Sequence, residues 1–217
     1  MDLRDGIRTT GAVRAFTDTP VDHQTIHAIL DDARFAPSGG NRQPWRVAVI
    51  DDATVRTSLA EAMYPVWNEY VAIGATGRTA FSTVGTDPHV SPTHVPNQLL
   101  DDITSIPVVL AIAVDLRTVA MMDAVLDRPT VTGGASIYPF CWNIVLAARS
   151  RGLGGVITTF ASRVEPVTAP LLHLPKHHAL AAVIFLGEPV HQPTRLSRRP
   201  VKGFTTIDSF DGTPLEL

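Results

Sequence analysis

The segment Gly133–Arg151 has apolar residues at helical spacing and few polar residues on any side. A helix that is apolar around its circumference needs other parts of the protein on every side. We therefore expect this helix at the centre of the molecule. Its candidates for burial are Ile137, Phe140, Cys141, Ile144, Val145 and Ala148. Cys141 is the only cysteine in the chain, and in this apolar run we expect an inert thiol instead of a catalytic one.

Shorter patterns on either side of this helix predict a mixture of helices and strands. Helices are predicted over residues 2–9, 21–35, 53–73 and 164–172, and strands over residues 46–50, 107–114 and 179–186, with another strand opening at residues 156–157. The strands are few, which favours an α+β layer architecture over regular alternation. The stretch 74–96 is rich in Gly and Pro; a mobile loop over a pocket and a plain surface excursion both fit it.

Composition narrows the class of protein. With 217 residues, 45% of them hydrophobic, the chain is long enough for a single domain spanning residues 1–217. Its 18 basic and 21 acidic residues leave a net charge of -3, which argues against a nucleic-acid or membrane partner. No secretory signal or membrane-spanning run is visible, and one cysteine is typical of a reducing compartment. These features predict a cytoplasmic protein.

The run from Ala36 to Trp45 carries more polar detail than a turn requires. Pro37 ends the preceding helix, and the glycine pair 39–40 allows positive φ and leaves no Cβ between the backbone and its surroundings. Asn41 and Gln43 then add side-chain donors before the next strand. An ordinary helix stop with solvated polar residues is the alternative, but the run is more typical of a place where backbone meets a ligand.

Two groups of cations lie far apart in the sequence. Arg8 and Arg14 flank Thr9 and Thr10 near the N-terminus. The second group consists of Arg195, Arg198, Arg199 and Lys202. Guanidinium groups bind phosphate oxygens through paired N–H donors, so the two groups could hold one phosphate from two sides. A solvated basic cluster is the alternative for each group.

Other motifs argue against particular kinds of site. The glycine-rich stretch 152–155 follows a helix and lacks the G-x-G-x-x-G spacing of a dinucleotide fingerprint. His23 and His27 lie four residues apart without the glutamate of an H-E-x-x-H motif, so no metal ligand is expected. The chain contains no G-x-S-x-G motif and no obvious carboxylate pair. No catalytic residue is therefore predicted, which is typical of enzymes whose chemistry is carried by a cofactor.

Three parts of the chain resemble the FMN-dependent nitroreductase family. The most specific part is residues 14–21 together with residues 33–45. The second part, residues 133–136, 143–149 and 152–155, is similar to the central helix of the family and the loop after it. The third part, residues 187–189 and 198–201, is similar to its C-terminal end. The resemblance extends over most of the chain, since these parts lie between residues 14 and 201.

The resemblance implies a nitroreductase-like three-layer α+β sandwich, in which a small and mostly antiparallel sheet is flanked by helices. It also implies an intertwined homodimer with an FMN in each of two sites at the interface. Residues 187–217 would form an extended C-terminal arm that reaches toward the partner subunit.

The resemblance also implies a set of cofactor-binding residues. They are Arg8, Thr10, Arg14, Pro37, Ser38, Gly39, Asn41, Gln43, Gly154, Gly155, Val156, Ile157, Thr158, Arg198 and Arg199. Residues 37–41 would lie against the flavin of the other subunit, and residues 154–158 would face the ring near its reactive nitrogen. Arg14 is expected at the pyrimidine edge, and Arg8 and Thr10 near the ribityl phosphate. The family usually begins R-x-S-x-R or R-x-S-x-K, whereas five residues separate Arg8 from Arg14 here.

The activity that the resemblance implies is that of an FMN-dependent oxidoreductase. NADPH or NADH would reduce the flavin and leave before a nitroaromatic, quinone or related small acceptor enters, which is a ping-pong reaction. A flavin-binding or sequestering protein with little turnover, and a specialised reductase or dehydrogenase on the same scaffold, are the alternatives. The stretch 74–96 distinguishes the first alternative from the enzyme: it would plug the pocket in a sequestering protein and gate it in an enzyme.

Overall fold

The computed structural model describes residues 1–216, and a four-stranded sheet lies at its centre. The strands are β1 (Trp45–Val49), β2 (Val108–Asp115), β3 (Gly154–Thr158) and β4 (His178–Gly187). They lie in the order β1-β2-β4-β3, and every neighbouring pair is antiparallel. The small antiparallel sheet implied by the resemblance is confirmed.

The two middle strands are buried on both faces. β2 pairs with β4 from Val108 opposite Leu186 to Asp115 opposite His178. Side chains alternate along a strand, so residues 108, 110, 112 and 114 of β2 join one core while residues 109 and 111 join another. This explains why the two strands are nearly continuous apolar runs in the sequence.

One core lies between the sheet and two helices, α2 (His23–Ala33) and α5 (Tyr138–Ser150). The side chain of Asp22 caps α2 by accepting a hydrogen bond from the amide of Thr25 at 2.7 Å. α5 is the predicted central helix, and Cys141 and Ile144 within it are fully buried.

The start of α5 differs from the prediction. Residues 132–136 form a separate 3-10 turn, and regular helix begins only at Tyr138, not at residue 133. The reason is Pro139 in the first helical turn, because proline has no amide hydrogen to bond back to an earlier carbonyl. The backbone at Ile137 leaves the helical region accordingly, with φ -127° and ψ -43°.

The second core lies on the other face of the sheet, beneath four helices. They are α3 (Ala53–Gly74), α4 (Gln98–Asp101), α6 (Phe160–Arg163) and α7 (Glu165–Leu171). Arg56 of α3 is 6% exposed, and its guanidinium donates at 2.6 Å to the carbonyl oxygens of Ile50 and of Ile106. Helices therefore cover both faces of the sheet, which gives the expected three layers.

The remaining chain is mostly irregular. An N-terminal helix, α1 (Leu3–Thr9), precedes the extended segment that leads to α2. No helix or strand occurs between α3 and α4, as predicted for this Gly- and Pro-rich stretch. In the C-terminal segment, residues 205–215 close into a loop through hydrogen bonds from Ile207 to Thr213 and from Leu215 to Thr205. None of the helices within residues 1–216 is both long and apolar enough to cross a membrane.

Candidate functional site

Arg14 lies on an extended segment, residues 12–17, whose backbone is hydrogen-bonded to other segments on both sides. The amide of Val13 donates to the carbonyl oxygen of Gly155 in β3 at 3.0 Å, and the amide of Val190 donates to the carbonyl oxygen of Ala15 at 3.1 Å. Arg14 stands between these two contacts with an exposed side chain, and no ion pair within residues 1–216 involves it. The backbone thus fixes the point from which an unpaired guanidinium extends.

The glycines at the start of β3 permit this close approach. A Cβ on Gly154 would lie 2.5 Å from the side chain of Val13, and a Cβ on Gly155 would lie 2.5 Å from that of Leu186. A larger residue at position 154 would push residues 12–17 away from β3 and Arg14 with them. The open sides of both glycines thus lie against Val13 and Leu186. That residues 154–158 face the flavin ring stays a prediction.

A carboxylate fixes the far end of the same segment. Glu188 accepts hydrogen bonds from the hydroxyls of Thr17 and Thr19 at 2.9 and 2.6 Å, and its carbonyl oxygen accepts from the amide of Thr17. The hydrogen bonds from Thr19 and Thr17 lower the pKa of Glu188 because they stabilise its charged form. The carboxylate therefore stays ionised at neutral pH and ties residues 17–19 to the end of β4.

Arg14 lines a cavity of about 520 Å³, which we call the aromatic groove. Its lining comprises Arg14, Trp67, Tyr70, residues 96–99 and residues 156–160. The ring of Phe160 lies 5.9 Å from that of Trp67 and 5.8 Å from that of Tyr70, measured between centroids. Of the predicted site residues, the groove brings together Arg14, Val156, Ile157 and Thr158. Such a lining suits a flat aromatic ligand with negative character near the guanidinium.

A second cavity, of about 760 Å³, joins cations from the two ends of the chain, and we call it the cationic groove. It is lined by Arg8 of α1 and by Arg198 and Arg199 of the C-terminal segment. None of the three is part of an ion pair within residues 1–216. Lys202 lies 3.5 Å from Glu216 instead. Three unpaired guanidinium groups on one cavity make it a candidate anion site.

Thr10 is placed differently from the cations around it. It is 4% exposed, and its hydroxyl donates to the carbonyl oxygen of Gly6 at 2.7 Å, where it closes the last turn of α1. Thr10 is absent from the lining of the cationic groove. Its visible role is to end the helix that carries Arg8.

Residues 37–43 form a separate polar turn between α2 and β1. The amide of Gly39 donates to the hydroxyl of Ser136, and the amide of Gln43 donates to the hydroxyl of Ser38, at 3.1 and 2.9 Å. Gly40, Asn41 and Gln43 all have φ between 50° and 60°. Left-handed backbone at a glutamine is strained, and such strain is concentrated at functional sites. Neither groove of the same chain includes any residue of this turn.

Sequence reasoning missed the aromatic residues of the groove. Trp67 and Tyr70 lie three positions apart in α3, so both point to the same side of the helix. That spacing was visible in the sequence, but two aromatic residues on one side of a helix usually indicate a side that is buried in the hydrophobic core. The partner ring, Phe160, lies in a four-residue helix that has no periodic signal.

Comparison with known proteins gives these grooves a family context. The model of the Nitroreductase family matches residues 7–188 of this chain. A nitrobenzene nitroreductase from Ectopseudomonas oleovorans is 29% identical over 220 residues, which cover 94% of this chain and 96% of the relative.

Two solved structures share the fold. An FMN complex from Desulfovibrio desulfuricans superposes with a TM-score of 0.70 at 21% identity, covering 97% of this chain and 98% of the other. The NADPH:FMN oxidoreductase of Vibrio harveyi in complex with NAD+ gives a TM-score of 0.69 at 18% identity, with 96% and 77% covered.

Proposed function

The chain belongs to the nitroreductase family and is an oxidoreductase, and we propose that it uses FMN as its cofactor. In this proposal NADPH or NADH is the electron donor, and a nitroaromatic or quinone is the electron acceptor. The observation that carries this proposal is the meeting of Arg14 with residues 156–158 in the aromatic groove. The family resemblance of the sequence independently matches these residues to flavin-binding positions. When bound, FMN supplies the centre that accepts and releases hydride.

The aromatic groove suits the ring system of a flavin. An isoalloxazine is flat, apolar along its dimethylbenzene part and rich in hydrogen-bond acceptors along its pyrimidine part. Trp67, Tyr70 and Phe160 offer apolar surface, and Arg14 offers N–H donors and a charge. Arg14 would stabilise the negative charge that reduction places on the pyrimidine part, because its positive charge already lines the groove.

The cationic groove suits the ribityl phosphate. Arg8, Arg198 and Arg199 would hold its oxygens through charge-assisted hydrogen bonds. Arg195 belongs to the same sequence cluster but not to the groove lining, which makes it a matched control. We expect Arg198→Ala to weaken FMN binding by at least about tenfold, the value of one such contact, and Arg195→Ala to leave it unchanged.

We further propose that a second copy of the chain completes each site. The strained turn at residues 37–43 contributes to neither groove of its own chain. Large apolar side chains are also exposed on α5 and on the C-terminal segment, including Trp142, Phe204 and Phe210. An intertwined homodimer would cover such surface and would place the turn of one protomer at the grooves of the other.

Subunit complementation tests this shared site. Arg14→Ala and Asn41→Ala proteins, each impaired alone, are unfolded together and refolded as a mixture. If Asn41 serves the partner's groove, mixed dimers contain one intact site and one doubly altered site, so activity reappears. Absence of any recovery, with mixed dimers demonstrated by mass, would place Arg14 and Asn41 in the same protomer's site.

The function itself is tested by anaerobic titration of the protein after incubation with FMN and removal of free flavin. We expect NADPH or NADH to bleach the visible absorbance of bound flavin, and a quinone or nitroaromatic to restore it. Bound flavin that neither donor bleaches would favour the sequestering alternative or another reductant. A protein that retains no flavin would contradict the proposal.

A further inference from the structure

Residues 75–97 connect α3 to α4 and border the aromatic groove, and their two ends are fixed. At the first end, the amide of Ala75 continues α3 by donating to the carbonyl oxygen of Val71. At the second end, the indole N–H of Trp67 donates to the carbonyl oxygen of Val95 at 2.9 Å, and the amide of Val95 donates to the side chain of Asn68 at 3.0 Å. The segment is thus tethered to the helix that lines the groove.

Between these ends, the side chain of Phe81 contacts the body of the protein. The Cζ atom of Arg163 lies 3.6 Å from the ring centroid of Phe81, and the Tyr70 ring lies 6.2 Å from it. Arg163 is held in turn by Glu69 of α3 at 3.6 Å. The hydrogen bonds within residues 78–94 are local, between Ser82 and Val84.

The backbone of Phe81 is strained, which indicates that these contacts keep the segment in its position. Its φ is 59°, in the left-handed region that bulky residues avoid. Such a conformation persists only where the surroundings favour it, and here the surroundings are Arg163 and Tyr70. Because Tyr70 also lines the aromatic groove, Phe81 packs against a residue of the groove lining.

We propose that residues 75–97 form a lid on the aromatic groove and that Phe81 is the latch whose stacking under Arg163 limits how far the lid opens. Phe81 then discriminates between electron acceptors by size. This discrimination rests on the proposed function, whereas the latch does not depend on it. Beside bound FMN, an acceptor with two fused rings needs more room than a one-ring acceptor. The lid must therefore open further for it, which separates Phe81 from Arg163.

The latch is tested by trypsin, since Arg78 is the only Lys or Arg within residues 75–97. We expect trypsin to cut after Arg78 faster in Phe81→Ala than in the unaltered protein, by on the order of tenfold if one aromatic contact holds the lid shut. Arg163→Gln removes the other half of the stack and should act in the same direction. Cleavage after Arg78 at an unchanged rate in both variants would overturn the latch.

Val84→Ala is the matched control. Val84 belongs to the same segment and is 84% exposed, so its substitution shortens an apolar side chain without removing an anchor. We expect its cleavage rate to equal that of the unaltered protein. Equal acceleration by Val84→Ala and Phe81→Ala would show a general loosening of the segment and would also overturn the latch.

The size discrimination is tested with FMN-loaded protein and two acceptors, 1,4-benzoquinone and the two-ring menadione. In Phe81→Ala we expect the ratio of kcat/KM for menadione to that for benzoquinone to rise on the order of tenfold, mainly through KM. Faster cleavage with an unchanged ratio would overturn the role in specificity. Faster cleavage in a protein that binds no FMN would support the latch and refute the proposed function, so the two failures are distinguishable.

Discussion

The amide nitrogen of Val13 and the carbonyl oxygen of Gly155 lie 3.0 Å apart, and this hydrogen bond sets the N-terminal segment beside the edge strand β3. The pairing is parallel and brief, with Ala12 bridged to Gly155. Its consequence is that Arg14, the next residue along, reaches the groove lined by residues 156–160.

Gly154→Ala should disturb this contact. The new methyl group would meet the side chain of Val13 at 2.5 Å, so either β3 or residues 12–17 must shift. We expect a loss of about 1–3 kcal/mol in the free energy of unfolding, as for other overpacked sites, together with weaker FMN binding. Urea denaturation and flavin titration measure the two effects. Gly74→Ala is the control, because nothing lies within 4 Å of the added methyl group and the residue sits in a helix.

Arg14→Gln should make the reduction potential of bound FMN more negative. Removing a positive charge from beside the groove disfavours the extra electron density of the reduced ring. We expect a change of roughly 30 mV, which for a two-electron couple corresponds to about 1.4 kcal/mol. Spectroscopic titration against a reference dye measures the potential. An Arg14→Gln protein with both the potential and the rate of reduction unchanged would show that Arg14 does not act on the ring.

Glu188 should contribute to acid sensitivity. Its pKa is lowered by the hydroxyls of Thr19 and Thr17, from an ordinary value of 4.5, so the folded state favours the ionised form. This contribution is fully present above pH 4.5 and is lost as the pH falls through the lowered pKa. We therefore expect the urea midpoint of the unaltered protein to fall more steeply below pH 4.5 than that of Glu188→Gln. Parallel curves for the two proteins would contradict this role.

Arg56→Met should destabilise the protein strongly. The buried guanidinium donates to carbonyl oxygens at the end of β1 and before β2, and methionine would leave those of Ile50 and Ile106 without a donor. We expect a loss of about 2–4 kcal/mol in the free energy of unfolding, since each unsatisfied buried group costs about 1–3 kcal/mol. Chemical denaturation measures it. Arg4→Met, at an exposed N-terminal position, should change stability little.

Cys141 should resist thiol reagents in the folded protein. It is fully buried in α5, and burial raises the pKa of its thiol to about 12. We expect no reaction with a disulfide reagent at pH 8 until denaturant is added, and then one thiol per chain, the number in the sequence. Rapid reaction of the native protein would mean that α5 opens frequently.

Much of the secondary structure was predictable from local pattern. The helices α2 and α3 follow from apolar spacing, and β2 and β4 follow from their apolar runs. The short helices α4 and α6 were missed because four residues carry no periodicity. The start of α5 was placed too early because apolar spacing continued across residues that Pro139 excludes from the helix.

The candidate site was predictable only as separate pieces. The sequence identified Arg14, the turn at residues 37–43 and the cations near the two ends, but not which of them share a cavity. The phosphate role expected of Thr10 stays a prediction; its hydroxyl donates to the carbonyl oxygen of Gly6 at the end of α1.

By itself, the sequence determined the local conformations, because helical spacing, proline, glycine and caps act on neighbouring residues. Only the tertiary structure decided that Arg8 and Arg199 line one cavity, that Val13 is hydrogen-bonded to Gly155 and that Phe81 stacks on Arg163. The physical reason is that each pair is distant along the chain. Such contacts arise when the two cores close around the sheet, and no short-range pattern encodes which surfaces then come together.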